Sequence, residues 1–191
     1  LAAAAGGGAG VVLGLPTLRL RGDYLAIVTL GFGEMMQDSL KNLDVITKGT
    51  QGINPLPAPT LFGYAFVPEQ PLPWYYLLLT ILTVVVVLTR NLETSRVGRT
   101  LISIREDELV ARASGVDTTK YKLLALAIGA ALAGLAGGIY ASRNQFTGPD
   151  EHALMASINV LCLIIVGGMG NIPGTLLGAF ALKGLPEILR E

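Results

Sequence analysis

The chain carries one cysteine, Cys162, and one histidine, His152. A single cysteine excludes an internal disulfide and any multi-cysteine metal cluster, and a single histidine excludes a multi-histidine metal site. Charge is scarce: only 15% of the 191 residues are Asp, Glu, Lys or Arg, against about 25% in soluble domains. The 14 basic residues balance the 14 acidic ones, so no basic excess points to nucleic acid. There is no phosphate-binding loop, H-E-x-x-H, G-x-S-x-G or dinucleotide fingerprint. Asp150-Glu151 and Glu106-Asp107-Glu108 are acidic clusters with nothing to pair them as acid and base. No catalytic residue, metal site or cofactor is expected.

What the chain has instead is apolar length. Hydrophobic residues make up 51%, mean hydropathy is +0.57, and 24 residues are glycine. Membrane helices use glycine to bring backbones together. The composition predicts an all-α bundle of membrane-spanning helices, a multi-pass protein with lipid as its solvent.

Leu1–Leu15 is short for a span, with Gly6, Gly10 and Gly14 on one helical face. Because Leu1 begins inside one apolar run and Glu191 follows another, the sequence reads as a piece of a longer membrane protein, truncated at both ends. Pro16–Asp23, with Arg19 and Arg21, reads as an inner turn. Tyr24–Leu40 is a second membrane segment, apolar only as far as Phe32. Glu34 is costly at mid-bilayer depth, so the helix either stops near the outer interface or is shielded within the bundle. Thr29, Gly31, Gly33 and Glu34 are the candidate pathway residues: a hydroxyl, two positions open to close backbone approach, and a carboxylate at the outer end.

Residues 41–72 hold Pro55, Pro57, Pro59, Pro68 and Pro71 and only two basic residues, which predicts an outer loop. Pro73–Thr89 is the clearest span, with Trp74, Tyr75 and Tyr76 expected as an interfacial belt. Leu123–Ser142 returns outward. It carries two small-residue seams, Gly129/Ala133/Gly137 and Ala130/Gly134/Gly138, each expected to pack against a helix. Ile158–Leu189 reads as two short helices joined by a Gly/Pro turn, or as one broken span, with Gly170, Gly174 and Gly178 packing tightly.

Between the two clear spans lies the longest polar stretch, residues 90–122. It holds seven of the 14 basic residues: Arg90, Arg96, Arg99, Arg105, Arg112, Lys120 and Lys122. The positive-inside rule assigns it to the cytoplasmic face. Ser103 and Glu106 have capping-box spacing, which predicts a short helix Ile104–Ser114 closed by Gly115. Leu109, Ala113 and Val116 would form its apolar stripe, and Glu108–Arg112 an i,i+4 pair. Asp117 and Thr118 are placed to cap the next helix.

Four stretches resemble one family. Residues 15–30, LPTLRLRGDYLAIVTL, match the segment LPxLRLRGxYxAIxTL of the permease subunits of branched-chain amino acid ABC transporters. Residues 47–52, TKGTQG, are similar to that family's TGGxxG, with Lys48 where its first paired glycine stands. The central stretch, from Gly98-Arg99 through Ile104-Arg105-Glu106-Asp107-Glu108, Ala113-Ser114-Gly115-Val116 and Tyr121-Lys122-Leu123, is close to the family's GRAxxAIREDExxAxAxGI and YKL. Gly167–Gly174 lies near GGxGxxxG.

The resemblance implies a type II-importer-like permease domain over residues 1–191 and a role as part of an ATP-driven pathway for branched-chain or related amino acids. It implies that the loop 90–122, through Arg99, Arg105, Glu106, Asp107, Glu108, Arg112 and Gly115, couples to separate ATP-binding cassette ATPase subunits. The further partners it implies are a second related permease subunit and an extracytoplasmic substrate-binding protein, in the plasma (inner) membrane of a bacterium or archaeon. The competing readings are an ion-coupled secondary transporter or channel, in which Glu34 or Asp38 would be an ion site, and a membrane scaffold without transport.

Overall fold

Every long apolar run becomes a helix in the computed structural model, which describes residues 1–17, 23–43, 48–53, 56, 60–61, 64–66, 71–149 and 154–184. The turn around Arg19 and Arg21, most of the proline-rich loop 41–72, Asp150, Glu151, His152 and Pro186 lie outside the described residues. The chain divides into two compact units, residues 1–31 with 52–147 and residues 32–51 with 148–191.

The first unit holds α1 (Ala2–Thr17), the first turns of α2 (Asp23–Asn42), α3 (Pro71–Thr94), α4 (Arg96–Glu106), α5 (Glu108–Ala113) and α6 (Thr118–Asn144). Its main packing is α1 against α6, antiparallel, along the small-residue seam. A Cβ on Gly6 would lie 2.5 Å from the Ala130 carbonyl oxygen, and one on Gly134 would lie 2.6 Å from that of Ala2. Gly10 meets Ala130 and Leu126, Gly14 meets Leu123 and Leu126, and Gly138 meets Ala2. Backbones this close exclude any side chain, which is why the sequence puts glycine on both partners. Gly137, expected to pack as well, has no described atom within 4 Å of its Cβ position, and neither has Gly129. Among the described residues, the glycines of the second seam pack and those of the first meet open space.

α3 and α6 have the length and apolarity to cross a membrane, each with a mean hydropathy of 2.0 over its best window. Those windows are 6% and 0% buried, the inverse of a soluble core. Inside α3, Thr80, Thr83 and Thr89 donate to carbonyls four residues back at 2.6–2.8 Å, so none of these three hydroxyls is left bare. At the start of α3, Trp74 is 1% exposed, edge-on to Phe66 at 5.8 Å and capped by the Arg143 guanidinium 6.0 Å from its ring. It is an internal anchor, and only Tyr75 and Tyr76 face outward from the expected belt. Nearby, Ile53 pairs with Thr147, and the Leu56 N–H donates to the Gln145 carbonyl, tying the preceding loop to the end of α6. Thr60–Leu61 and Tyr64–Ala65 form a small antiparallel hairpin, β1–β2.

The second unit holds the rest of α2, a 3-10 turn at Gly49–Gln51, α7 (Leu154–Gly167), α8 (Ile172–Ala179) and a π-helical turn Phe180–Gly184. α2 does not stop at Glu34; it runs two turns further, to Asn42. Met35, Gln37 and Lys41 suit a helix, and Ser39 and Asn42 return their side-chain donors to carbonyls four residues back. α7 and α8 are two separate short helices. Gly168 and Gly170, at φ +90° and +85°, turn the chain between them. A Cβ on Gly174 would fall on the Gly167 carbonyl oxygen, and one on Gly178 would lie 2.8 Å from the Gly167 Cα. With 14 and 8 residues, they measure about 21 and 12 Å, each short of the ~30 Å hydrocarbon core.

Candidate functional site

The polar stretch between α3 and α6 folds into a knuckle of two short helices. Its first corner is Ser95. The hydroxyl accepts from the Gly98 N–H at 3.2 Å and donates to the Leu92 carbonyl at 2.6 Å, so one side chain ends α3 and caps α4. Gly98 is buried in this elbow, and a Cβ there would fall on the Leu92 and Glu93 carbonyl oxygens.

The second corner is Asp107, extended at φ −153°, which ends α4 and caps α5. Its Oδ1 accepts from the Leu109 and Val110 N–H groups at 2.8 and 3.1 Å. The expected single helix Ile104–Ser114 is therefore broken in two. Ser103 does not act as its cap; its hydroxyl donates to the Thr100 carbonyl within α4. A carboxylate is the stronger acceptor for free N–H groups at a helix start, and Asp107 outcompetes the hydroxyl four residues earlier. Gly115, at φ +84°, closes α5. The Gly115 and Val116 N–H groups donate to the Arg112 and Ala111 carbonyls, both at 3.1 Å, in a Schellman closure.

Glu108 fastens the knuckle to α6. Its carboxylate takes Lys122 Nζ at 2.6 Å and Arg112 Nη2 at 2.9 Å. Arg112 also donates to Thr118 Oγ1 at 3.0 Å, and Thr118 is 2% exposed. Hydrogen bonding from Lys122, joined by the charges of Lys122 and Arg112, holds the Glu108 carboxyl below the usual carboxylate range against a smaller opposing effect of burial. Asp117 caps α6 through the Lys120 N–H at 3.2 Å, and its carboxyl is lowered chiefly by the hydrogen bond from the Lys120 side chain. The expected Glu108–Arg112 pair is present. Lys122 and Thr118 enlarge it into a cluster that helical spacing within α5 alone does not reveal.

The outer side of this knuckle is apolar. Leu109 and Val110 are 72% and 61% exposed, whereas Ile104 and Ala111 are buried against the fold. Of the expected stripe, Leu109 and Ala113 point outward and Val116 is half-buried. Arg99, Arg105, Glu106 and Arg112 are also exposed on the knuckle, with Arg105 paired to Glu106 at 3.1 Å. Among the described residues no group of three His, Cys, Asp or Glu side chains is able to hold a metal ion.

The other candidate residues lie elsewhere. Thr29, Gly31, Gly33 and Glu34 are exposed along α2, which stays helical through both glycines. Helical spacing puts Thr29 and Gly33 on the side of Gln37, a buried polar residue that the sequence reading did not single out. Gly134 and Gly138 are on the α1 seam, Gly174 is in the α7–α8 contact, and Gly170 is in the turn between those helices.

The family profile described as "Branched-chain amino acid transport system / permease component" matches residues 1–190. A relative from Salmonella typhimurium, "High-affinity branched-chain amino acid transport system permease protein LivM", is 38% identical over 96% of this chain and 48% of its own length. The "Probable branched-chain amino acid transport permease protein LivM" of Methanocaldococcus jannaschii is 30% identical over 88% of this chain and 48% of its own. A LivH permease protein from Escherichia coli is 31% identical over 67% of this chain and 40% of its own. The chain thus spans about half the length of the LivM relatives it matches. No solved structure matches it. With its profile match end to end and its all-α fold built on apolar, outward-facing helices, the chain belongs to the family of permease components of branched-chain amino acid transport systems.

Proposed function

We propose that this chain is the membrane-spanning part of a permease subunit in an ATP-driven importer of branched-chain or related amino acids. The knuckle α4–α5 is the surface on which a separate ATP-binding cassette ATPase docks. The observation that carries this is its build: an exposed apolar tip, Leu109 and Val110, on a helix locked to membrane helix α6 through Glu108, Lys122 and Thr118. A push on the tip therefore reaches α6 without being absorbed by a loop. The names of the relatives support the cargo. In this reading a second related permease completes the pathway, an extracytoplasmic binding protein delivers substrate, and the protein sits as a multi-pass subunit in the plasma membrane of a bacterium or archaeon. Thr29, Gly31, Gly33 and Glu34 line the outer part of the pathway, where weak contacts suffice because the binding protein supplies affinity.

The test is site-directed cross-linking in the assembled transporter, with Cys162→Ser as background. Cysteines at Leu109 and Val110 should cross-link to an ATPase subunit, and ATP should change the yield. Cross-links that reach no ATPase would remove the docking role and favour a self-contained, ion-coupled transporter. Thiol labelling at Thr29, Gly31, Gly33 and Glu34 should respond to substrate; labelling confined to Glu34 would make α2 a packing element.

A further inference from the structure

α3 and α6 do not close against each other along one side. A groove of about 400 Å³ runs between them, walled by Leu78, Leu82 and Val85 on α3 and by Leu132, Ala136 and Tyr140 on α6. Arg143 stands at its end. From Leu78 to Val85 and from Leu132 to Arg143 the walls run about 10 to 16 Å at 1.5 Å per residue. The groove is apolar along its length and charged only at its mouth, the pattern of an acyl chain that carries a polar head.

The charge at the mouth selects what that chain is attached to. Arg143 lies over the Trp74 ring and faces no carboxylate among the described residues. Stacking occupies one face of the guanidinium and leaves its in-plane N–H donors available. Tyr140, one turn below on the same side of α6 and exposed, adds a hydroxyl. We propose that the α3–α6 groove binds a phospholipid, with one acyl chain between the helices and the phosphate on Arg143 and Tyr140. The lipid fills a gap in the bundle and pins the Trp74–Arg143 corner. Bidentate guanidinium–phosphate pairing supplies the specificity.

The test uses the intact permease with its partner subunits in lipid nanodiscs, and phosphatidylglycerol bearing a diazirine on one acyl chain. After photolysis, labelled peptides are mapped by mass spectrometry. Labelling should concentrate on 78–85 and 132–139. Ala136→Phe, which fills the slot, should reduce it there while labelling of Val160 on α7 stays constant. Arg143→Gln should lower it about tenfold or more, the loss of the charge-assisted pairing, and Arg143→Lys, which keeps the charge and loses the bidentate fork, should restore only part of it. If Ala136→Phe fails to assemble, the Arg143 pair, at an exposed position, carries the test, with size-exclusion elution of the assembled complex reporting the fold. Even labelling of all outward helices, insensitive to Arg143, would overturn the proposal in favour of ordinary boundary lipid. So would a cross-link from Ala136→Cys to another helix of the assembly. Equal labelling by a diazirine diacylglycerol, which lacks phosphate, would overturn the role of Arg143.

Discussion

Lys122 Nζ lies 2.6 Å from Glu108 Oε2, closing a loop of fourteen residues between α5 and the first turns of α6. The folded state holds the Glu108 carboxyl below its ordinary value, so the ionised form stabilises the fold. That contribution is complete above the unfolded value of about 4.3 and disappears as pH falls through the lowered folded one. The side chains are 34% and 37% exposed, so solvent screening limits the pair to about 0.5–1 kcal/mol. Glu108→Gln should lower stability by that amount at pH 7, less in high salt, and by almost nothing near pH 3. Thermal unfolding across that range checks it; a gap that persists undiminished in acid would assign the effect to packing.

Gly134 and Gly137 sit one turn apart on α6 and should behave oppositely. At Gly134 any side chain runs into the Ala2 carbonyl and the Gly6 Cα. Gly134→Leu should cost more than about 3 kcal/mol, beyond ordinary overpacking, and abolish folded protein. Gly137→Leu meets open space here and should leave the α1–α6 pair folded. Size-exclusion profiles and melting of the two variants, side by side, decide.

Asp107, and not Ser103, should control α5. Asp107→Ala removes the acceptor for two N–H groups and should cost about 1 kcal/mol. Hydrogen exchange of the Leu109 and Val110 amides should rise several-fold. Ser103→Ala, which loses only a bond back into α4, should leave those amides unchanged.

Gly115 must stay left-handed to close α5. Gly115→Val should cost about 1–2 kcal/mol and loosen the knuckle; under the proposed docking role, the assembled transporter should then move less substrate per ATP hydrolysed. Gly115→Asn should be milder, because Asn tolerates that conformation. Paired hydrolysis and uptake assays in vesicles measure the ratio.

Much of this architecture was legible because its causes are local. The Gly6/Gly10/Gly14 face, the spans, the Glu108–Arg112 pair and the Gly115 closure follow from helical spacing and residue type. Lys48 is instructive: it stands where the resembled motif has glycine and adopts φ +57°, the conformation that glycine favours. What spacing could not show was competition and distance. Ser103 and Asp107 both offer caps, and only the geometry at residue 107 settles which N–H groups are free. Trp74 reads as a lipid-interface residue until Phe66 and Arg143 close over it. Thr118, adjacent to a cap, gives no sequence sign that it will be buried beneath Arg112.

The unbroken length of α3 has a mechanical consequence. Its 24 residues make a rod about 36 Å long, anchored at one end by Trp74 and ending at the Ser95–Gly98 elbow at the other. Pivoting such a rod about its tryptophan by roughly five degrees carries the far end about 3 Å sideways. That is about half the 5.4 Å pitch of a helix. A ring stacked under one arginine would thus be the fulcrum for any displacement of the elbow at the far end of α3.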